Sequence, residues 1–128
     1  MMEAARALRP VILVCDDELP LRELIKAALG DGFDCVEAED ASQAEELLGR
    51  MRVDAVVLDV MLPGKSGLEL LADLRRTQGA EPTPVVVVSA WQTDADRRAA
   101  TEAGATAFVG KPFDPDELVR VVESVTRT

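Results

Sequence analysis

The sequence predicts an α/β fold: a doubly wound, five-stranded parallel sheet with helices on both faces. Three observations carry that expectation. Five short apolar runs alternate with five amphipathic stretches along the 128 residues. Four of the runs are nearly continuous in β-branched or other apolar side chains, as strands covered on both faces require. No repeat, linker or low-complexity segment interrupts the alternation, which implies successive βα units in one domain.

The elements follow in order. VILVC (11–15) reads as a buried strand. Pro20 opens a helix whose apolar positions Leu21, Leu24, Ile25, Ala28 and Leu29 fall at helical spacing, with Gly30 and Gly32 at its exit. DCVEA (34–38) mixes Cys35 and Val36 with Glu37, and Glu39 follows, which suits an exposed edge strand. Ser42 with Glu45 predicts a capping box at the second helix, and Ser66 with Glu69 another at the third. Between them AVVLD (55–59) is the third strand, and PVVVVS (84–89) is the fourth. The helix around Asp94 to Ala103 has only Ala95, Ala99, Ala100 and Ala103 to bury. Small side chains bury little area, so this helix should be the least firmly held. TAFVG (106–110) is the fifth strand. Asp114 and Pro115 then cap and open a helix with Leu118, Val121, Val122 and Val125 on one face. Five such units suit the strand order 2-1-3-4-5 of the flavodoxin-like three-layer sandwich.

Composition narrows the function. Apolar residues make up 48% and charged residues 30%, with a net charge of −10. That field repels nucleic acid and anionic membranes, so no direct nucleic-acid partner is expected. No apolar run approaches the ~18–20 residues needed to span a bilayer. The opening MMEAARALRP lacks the apolar centre of a signal peptide, so the chain reads as cytoplasmic, with residues 1–10 an extension and 11–128 the domain. Cys15 and Cys35 make no disulfide framework and read as small core residues. The absence of histidine excludes a histidine base, a histidine zinc site and a phosphohistidine on this chain.

The segment LDVMLPGKSG (58–67) raises a choice. Its GKS resembles the end of a nucleotide phosphate loop, G-x-x-x-x-G-K-[ST]. Asp59, however, occupies the first glycine position. A carboxylate there would repel a phosphate by ~4 kcal/mol at 4 Å with an effective dielectric near 20. Gly64 then serves a turn and Ser66 a helix cap. A flavin phosphate would sit after the first strand, where DDELP (16–20) is acidic.

The acidic residues point elsewhere. In strand order 2-1-3-4-5 the first and third strands are neighbours, so Asp16, Asp17 and Asp59 converge at their carboxyl ends. Three carboxylates repel unless a hard cation such as Mg²⁺ joins them. Ser89 closes the fourth strand and Lys111 follows the fifth, adding a hydroxyl and an ammonium. That inventory suits a phosphoryl group on Asp59.

VCDDE (14–18), LDVMLPGKSG (58–67), VVVVSA (85–90) and FVGKPF (108–113) together resemble the receiver domain of bacterial two-component response regulators, over essentially the whole chain. The resemblance implies that Asp59 is the phosphoacceptor and that Asp16 and Asp17, with Asp59 itself, form a pocket for Mg²⁺ or Mn²⁺. The Met61 backbone carbonyl would be a further ligand, Ser89 and Lys111 would contact the phosphoryl group, and Lys111–Pro112 would be cis. The donor would be a sensor histidine kinase or histidine phosphotransfer protein. Ser89 and Phe108 would form the switch, changing the face between the fourth and fifth helices that meets an effector or a second copy. Met61 and Trp91 carry no group to orient a hydrolytic water, so the phosphoryl group should decay slowly. A haloacid-dehalogenase-type phosphatase would need an acid at Met61, and a receiver-like module that only binds a partner is the other alternative. The end at Thr128, just after the fifth helix, leaves a stand-alone receiver and a piece of a longer regulator both open.

Overall fold

The computed structural model describes residues 9–79 and 82–126. It contains five parallel strands, β1 (Val11–Cys15), β2 (Asp34–Ala38), β3 (Ala55–Asp59), β4 (Val85–Ser89) and β5 (Ala107–Gly110), in the order β2-β1-β3-β4-β5. The helices are α1 (Leu19–Leu29), α2 (Ala41–Arg50), α3 (Gly67–Thr77), α4 (Asp94–Ala103) and α5 (Pro115–Thr126), with a 3₁₀ turn at Gly30–Gly32. Architecture and order are those the sequence predicts. Most of the expected extension, residues 1–8, lies outside the described residues, as do 127 and 128.

Strand alternation splits the core in two. Leu13, Cys15, Val56, Leu58, Val85 and Val87 face α2, α3 and α4, where Ala41, Ala44, Leu70, Leu71 and Ala100 meet them. Ile12, Val14, Val57, Val86, Val88 and Val109 face Ile25 and Leu29 of α1 and Leu118 and Val122 of α5. β3 and β4 are buried at every position, whereas β2, at the edge, is fully buried only at Ala38. The central strands therefore hold their last residues, Asp59 and Ser89, out of water.

Four local expectations need correction. Asp40, and not Ser42, caps α2: its side chain accepts from Gln43 N–H at 2.8 Å. A carboxylate one residue before the helix serves better than a hydroxyl already inside it. Leu24 is 45% exposed, and Arg22 takes the inner face of α1 with Ile25 and Leu29. In α4 only Ala100 is fully buried, while Ala95 and Ala99 face solvent. That helix is capped instead by a Thr93–Asp96 box, which the sequence reading missed. Finally, Cys35 is half-buried on its edge strand, so only Cys15 is a core cysteine.

Ser66 does cap α3, accepting from Glu69 N–H at 3.2 Å, after a turn in which Gly64 has φ +75°. Gly67 is needed for a different reason: a Cβ there would lie 2.2 Å from the Asp59 carbonyl oxygen. The Gly67 N–H instead donates to Val60 O at 3.0 Å, which seats the start of α3 against the end of β3.

Candidate functional site

The carboxyl ends of β1, β3, β4 and β5 bring together four of the residues singled out from sequence. Asp16 and Asp59 are each 3% exposed, and Ser89 is 1% exposed. Lys111 Nζ reaches between the carboxylates, 3.3 Å from Asp16 Oδ2 and 3.4 Å from Asp59 Oδ2. Its backbone N–H donates to Ser89 O at 2.8 Å, and the Lys111–Pro112 peptide is cis.

Each buried oxygen has a partner. Asp16 Oδ1 accepts from Glu18 N–H at 2.8 Å, and Asp59 Oδ1 accepts from Met61 N–H at 3.0 Å. Ser89 Oγ accepts from Trp91 N–H at 3.0 Å. Burial pushes the Asp16 carboxyl above its usual range; Glu18 N–H and Lys111 oppose that shift, and the charge of Asp59 adds to it. Burial likewise raises the Cys15 thiol to about 12, with Asp16, Asp40 and Asp59 contributing, so this cysteine stays a neutral packing residue.

Asp17 is exposed at the rim, where Asp16, Asp17 and Glu18 can each place a carboxylate oxygen within 4.8 Å of the others. Glu18 was not anticipated as a member, although the run DDE contains it. Three hard oxygen donors so close together are of the type that suits Mg²⁺. The donor set fits the cation.

The GKS lysine points away. Lys65 pairs with Glu45 of α2 at 3.5 Å and with Asp73 of α3, so no phosphate loop forms. Met61 and Trp91 are exposed at the rim, at 51% and 53%. Phe108 is half-buried beneath the Arg97 guanidinium, whose carbon lies 4.5 Å from the ring centre. Beside it lies a cavity of about 150 Å³ lined by Val60, Leu68, Ser89, Trp91, Asp96, Ala99 and Phe108. A wider groove of about 710 Å³, with Leu48, Asp54, Leu74, Pro84 and Val125 in its walls, shares none of the site residues.

Sequence reasoning missed three further contributors. Gln92 Nε2 donates to Lys111 O at 2.7 Å and ties the loop after β4 to the loop after β5. Arg97 covers Phe108, and Arg22 lies under the acidic loop. Isolated polar residues on helices and loops read as solvated, and no local pattern distinguishes these.

Comparisons agree with the geometry. The family model for the response regulator receiver domain matches residues 12–123. The chain is 38% identical to the phosphate regulon transcriptional regulatory protein PhoB of Pseudomonas aeruginosa over 117 residues, covering 91% of this chain and 51% of that protein. The Escherichia coli PhoB is 40% identical over the same length and coverage. The chain thus spans about half the length of these curated relatives. A Francisella response regulator receiver domain superposes with a TM-score of 0.86 at 30% identity, covering 91% of this chain and 96% of that one. The chemotaxis protein CheY4 of Vibrio cholerae gives 0.84 at 25% identity, covering 91% and 98%.

Proposed function

This chain belongs to the response regulator receiver domain family, and from that premise we propose that Asp59 accepts a phosphoryl group from a phosphohistidine on a sensor kinase or phosphotransfer protein. One observation carries the reading: a lysine ammonium poised between two buried carboxylates, 3.3 Å from Asp16 and 3.4 Å from Asp59. An ammonium there can follow negative charge as it develops on the acceptor.

In the proposed step an Asp59 carboxylate oxygen attacks phosphorus. The P–N bond to the donor imidazole breaks, the ring nitrogen leaves with the bonding pair, and an acyl phosphate remains on Asp59. The chain's work is alignment and charge compensation, since phosphoryl transfer asks little covalent chemistry of the protein. Asp16, Asp17, Asp59 and the Met61 carbonyl would hold Mg²⁺ (or Mn²⁺), which supplies positive charge to the phosphoryl oxygens when bound. Lys111 would neutralise another oxygen, and the Ser89 hydroxyl would turn from the Trp91 N–H to donate to the third.

That turn of Ser89 opens the switch. The cavity beside it adjoins Phe108, whose ring has no hydroxyl to satisfy on moving inward. We place the output on the face between α4 and α5, toward an effector or a second copy. The domain would work in the cytoplasm; among the described residues no helix is long and apolar enough to cross a membrane. The net charge of −10 argues against nucleic-acid contact by this domain itself. Met61 cannot serve as a general acid, so we assign no turnover of separate phosphomonoesters.

Intact-mass spectrometry tests the proposal. With Mg²⁺ and a small acyl phosphate or phosphoramidate, wild type should gain one phosphoryl mass. Asp59→Asn, or addition of EDTA, should abolish the gain. No adduct with any donor would leave a binding module and sink the reading. The decay of that mass tests the rim: Met61→Asn with Trp91→Glu should shorten the phosphoryl lifetime, and an unchanged rate would remove both residues from its control.

A further inference from the structure

Four polar side chains are buried among the described residues: Asp16, Asp59, Ser89 and Arg22. The first three are site residues. Arg22 is 8% exposed on α1 and touches no carboxylate of the pocket. We propose that Arg22, held by Glu37, is a positioning residue that fixes the acidic loop for divalent-cation binding; this rests on the receiver reading above.

The contacts carry the argument. Arg22 Nη1 donates to the Asp16 main-chain oxygen at 2.6 Å, and Arg22 Nε donates to Glu37 Oε1 at 2.9 Å. Asp16 N–H meanwhile donates to Ala38 O at 3.1 Å. Both backbone groups of Asp16 are thereby tied, one to β2 and one to α1. Because the peptide unit is planar, pinning the Asp16 carbonyl also sets the plane from which Asp17 departs. The loop that carries Asp16, Asp17 and Glu18 therefore leaves β1 in one direction.

Glu37 explains why a buried arginine is tolerable. It lies opposite Val14 in the β1–β2 register, and its second oxygen accepts from Lys26 Nζ at 2.9 Å. The Lys26 hydrogen bond, with burial opposing and Arg22 assisting, keeps Glu37 below its usual titration range and so ionised at neutral pH. Arg22 is thus charge-compensated by Glu37, which is not one of the pocket residues. It acts there as a directed donor more than as a free positive charge. Glu37, which the alternation pattern marks only as an edge-strand residue, gains a role through this chain of contacts.

The two ways Arg22 could act have opposite signs. A positive charge beneath the pocket would weaken Mg²⁺ binding, so its removal would tighten it. A positioning donor would strengthen binding, and its removal would loosen it. Outer partners of metal ligands typically change affinity about 10–100-fold.

The test is calorimetric titration with Mg²⁺ alone at neutral pH, on wild type and Arg22→Met, Arg22→Lys, Glu37→Gln and Ile25→Val. Expected is an affinity loss of about tenfold or more for Arg22→Met, smaller losses for Glu37→Gln and Arg22→Lys, and no loss for Ile25→Val. Ile25 lies buried on the same helix, so that variant controls for loss of α1 packing. If Arg22→Met does not fold, Glu37→Gln and Arg22→Lys decide alone. Unchanged or tighter Mg²⁺ binding in these variants would overturn the positioning role while leaving the receiver reading intact. Failure of wild type to bind Mg²⁺ at millimolar concentration would overturn the receiver reading itself, and the inference with it.

Discussion

The two flanks of the site are built on different principles. On the β1–β3 flank, α1 and α5 bury Ile25, Leu29, Leu118 and Val122, and Asp16 and Asp59 each have a fixed partner. On the β4 flank, α4 fully buries only Ala100. A cavity of about 150 Å³ lies beside it, and Phe108 rests under an arginine. α4 is not loose at its ends: Thr93 and Asp96 close the first turn. Arg75 of α3 donates to Gly104 O at 3.0 and 2.8 Å just past the last turn. Between those ends Ala100 is its one fully buried side chain among the described residues. Chemistry needs groups fixed to tenths of an ångström, whereas a signal needs an element with two affordable positions. On the proposed reading, Ser89 joins the two, since it closes β4 and also lines the cavity beside Phe108.

Truncating each flank would show the contrast most sharply. Leu118→Ala should cost about 2–5 kcal/mol, and Ala100→Gly only about 1 kcal/mol, both read by urea denaturation. Equal costs would erase the distinction.

A smaller effect isolates the electrostatic part. Burial raises the Asp16 carboxyl above the model-peptide value of 3.8. The folded state therefore binds that proton more tightly than the unfolded chain. Stability is favoured below 3.8 and lost as pH rises through the folded value, and the loss persists at neutral pH. Asp16→Asn should raise the thermal midpoint of the metal-free protein at pH 7 and remove this part of the pH dependence. A lower midpoint would mean that the Lys111 and Glu18 contacts outweigh desolvation.

The smallest effect lies at Phe108. Arg97→Ala removes a cation–π contact of about 0.5–1 kcal/mol. That should shift the Phe108 ring about two- to fivefold toward the cavity, detectable in its NMR resonances, while leaving denaturant stability nearly unchanged. An unshifted ring would show that the arginine only covers it.

Most of the frame was legible because it rests on local chemistry. Continuous Val and Leu runs announce buried parallel strands, and the alternation with amphipathic stretches implies the doubly wound order. Asp16, Asp59, Ser89 and Lys111 stand at strand ends, where the topology brings them together, and Asp17 follows at the rim. Even the false GKS signal was dismissible, since Asp59 occupies the place of a required glycine.

Tertiary structure decided what local pattern cannot encode. Leu24 and Arg22 sit two residues apart on one helix, and hydropathy alone would bury the leucine. Glu37 on the neighbouring strand and the Asp16 carbonyl reverse the choice, because they reward a buried donor. Glu18 joins the acidic cluster only because the loop turns after Asp16. Gly67 is required only because β3 passes under α3, and Arg97 meets Phe108 only once β5 lies beside α4. A strand's burial follows from its own side chains. A polar group's place depends on partners distant in sequence, and those exist only when the chain has folded.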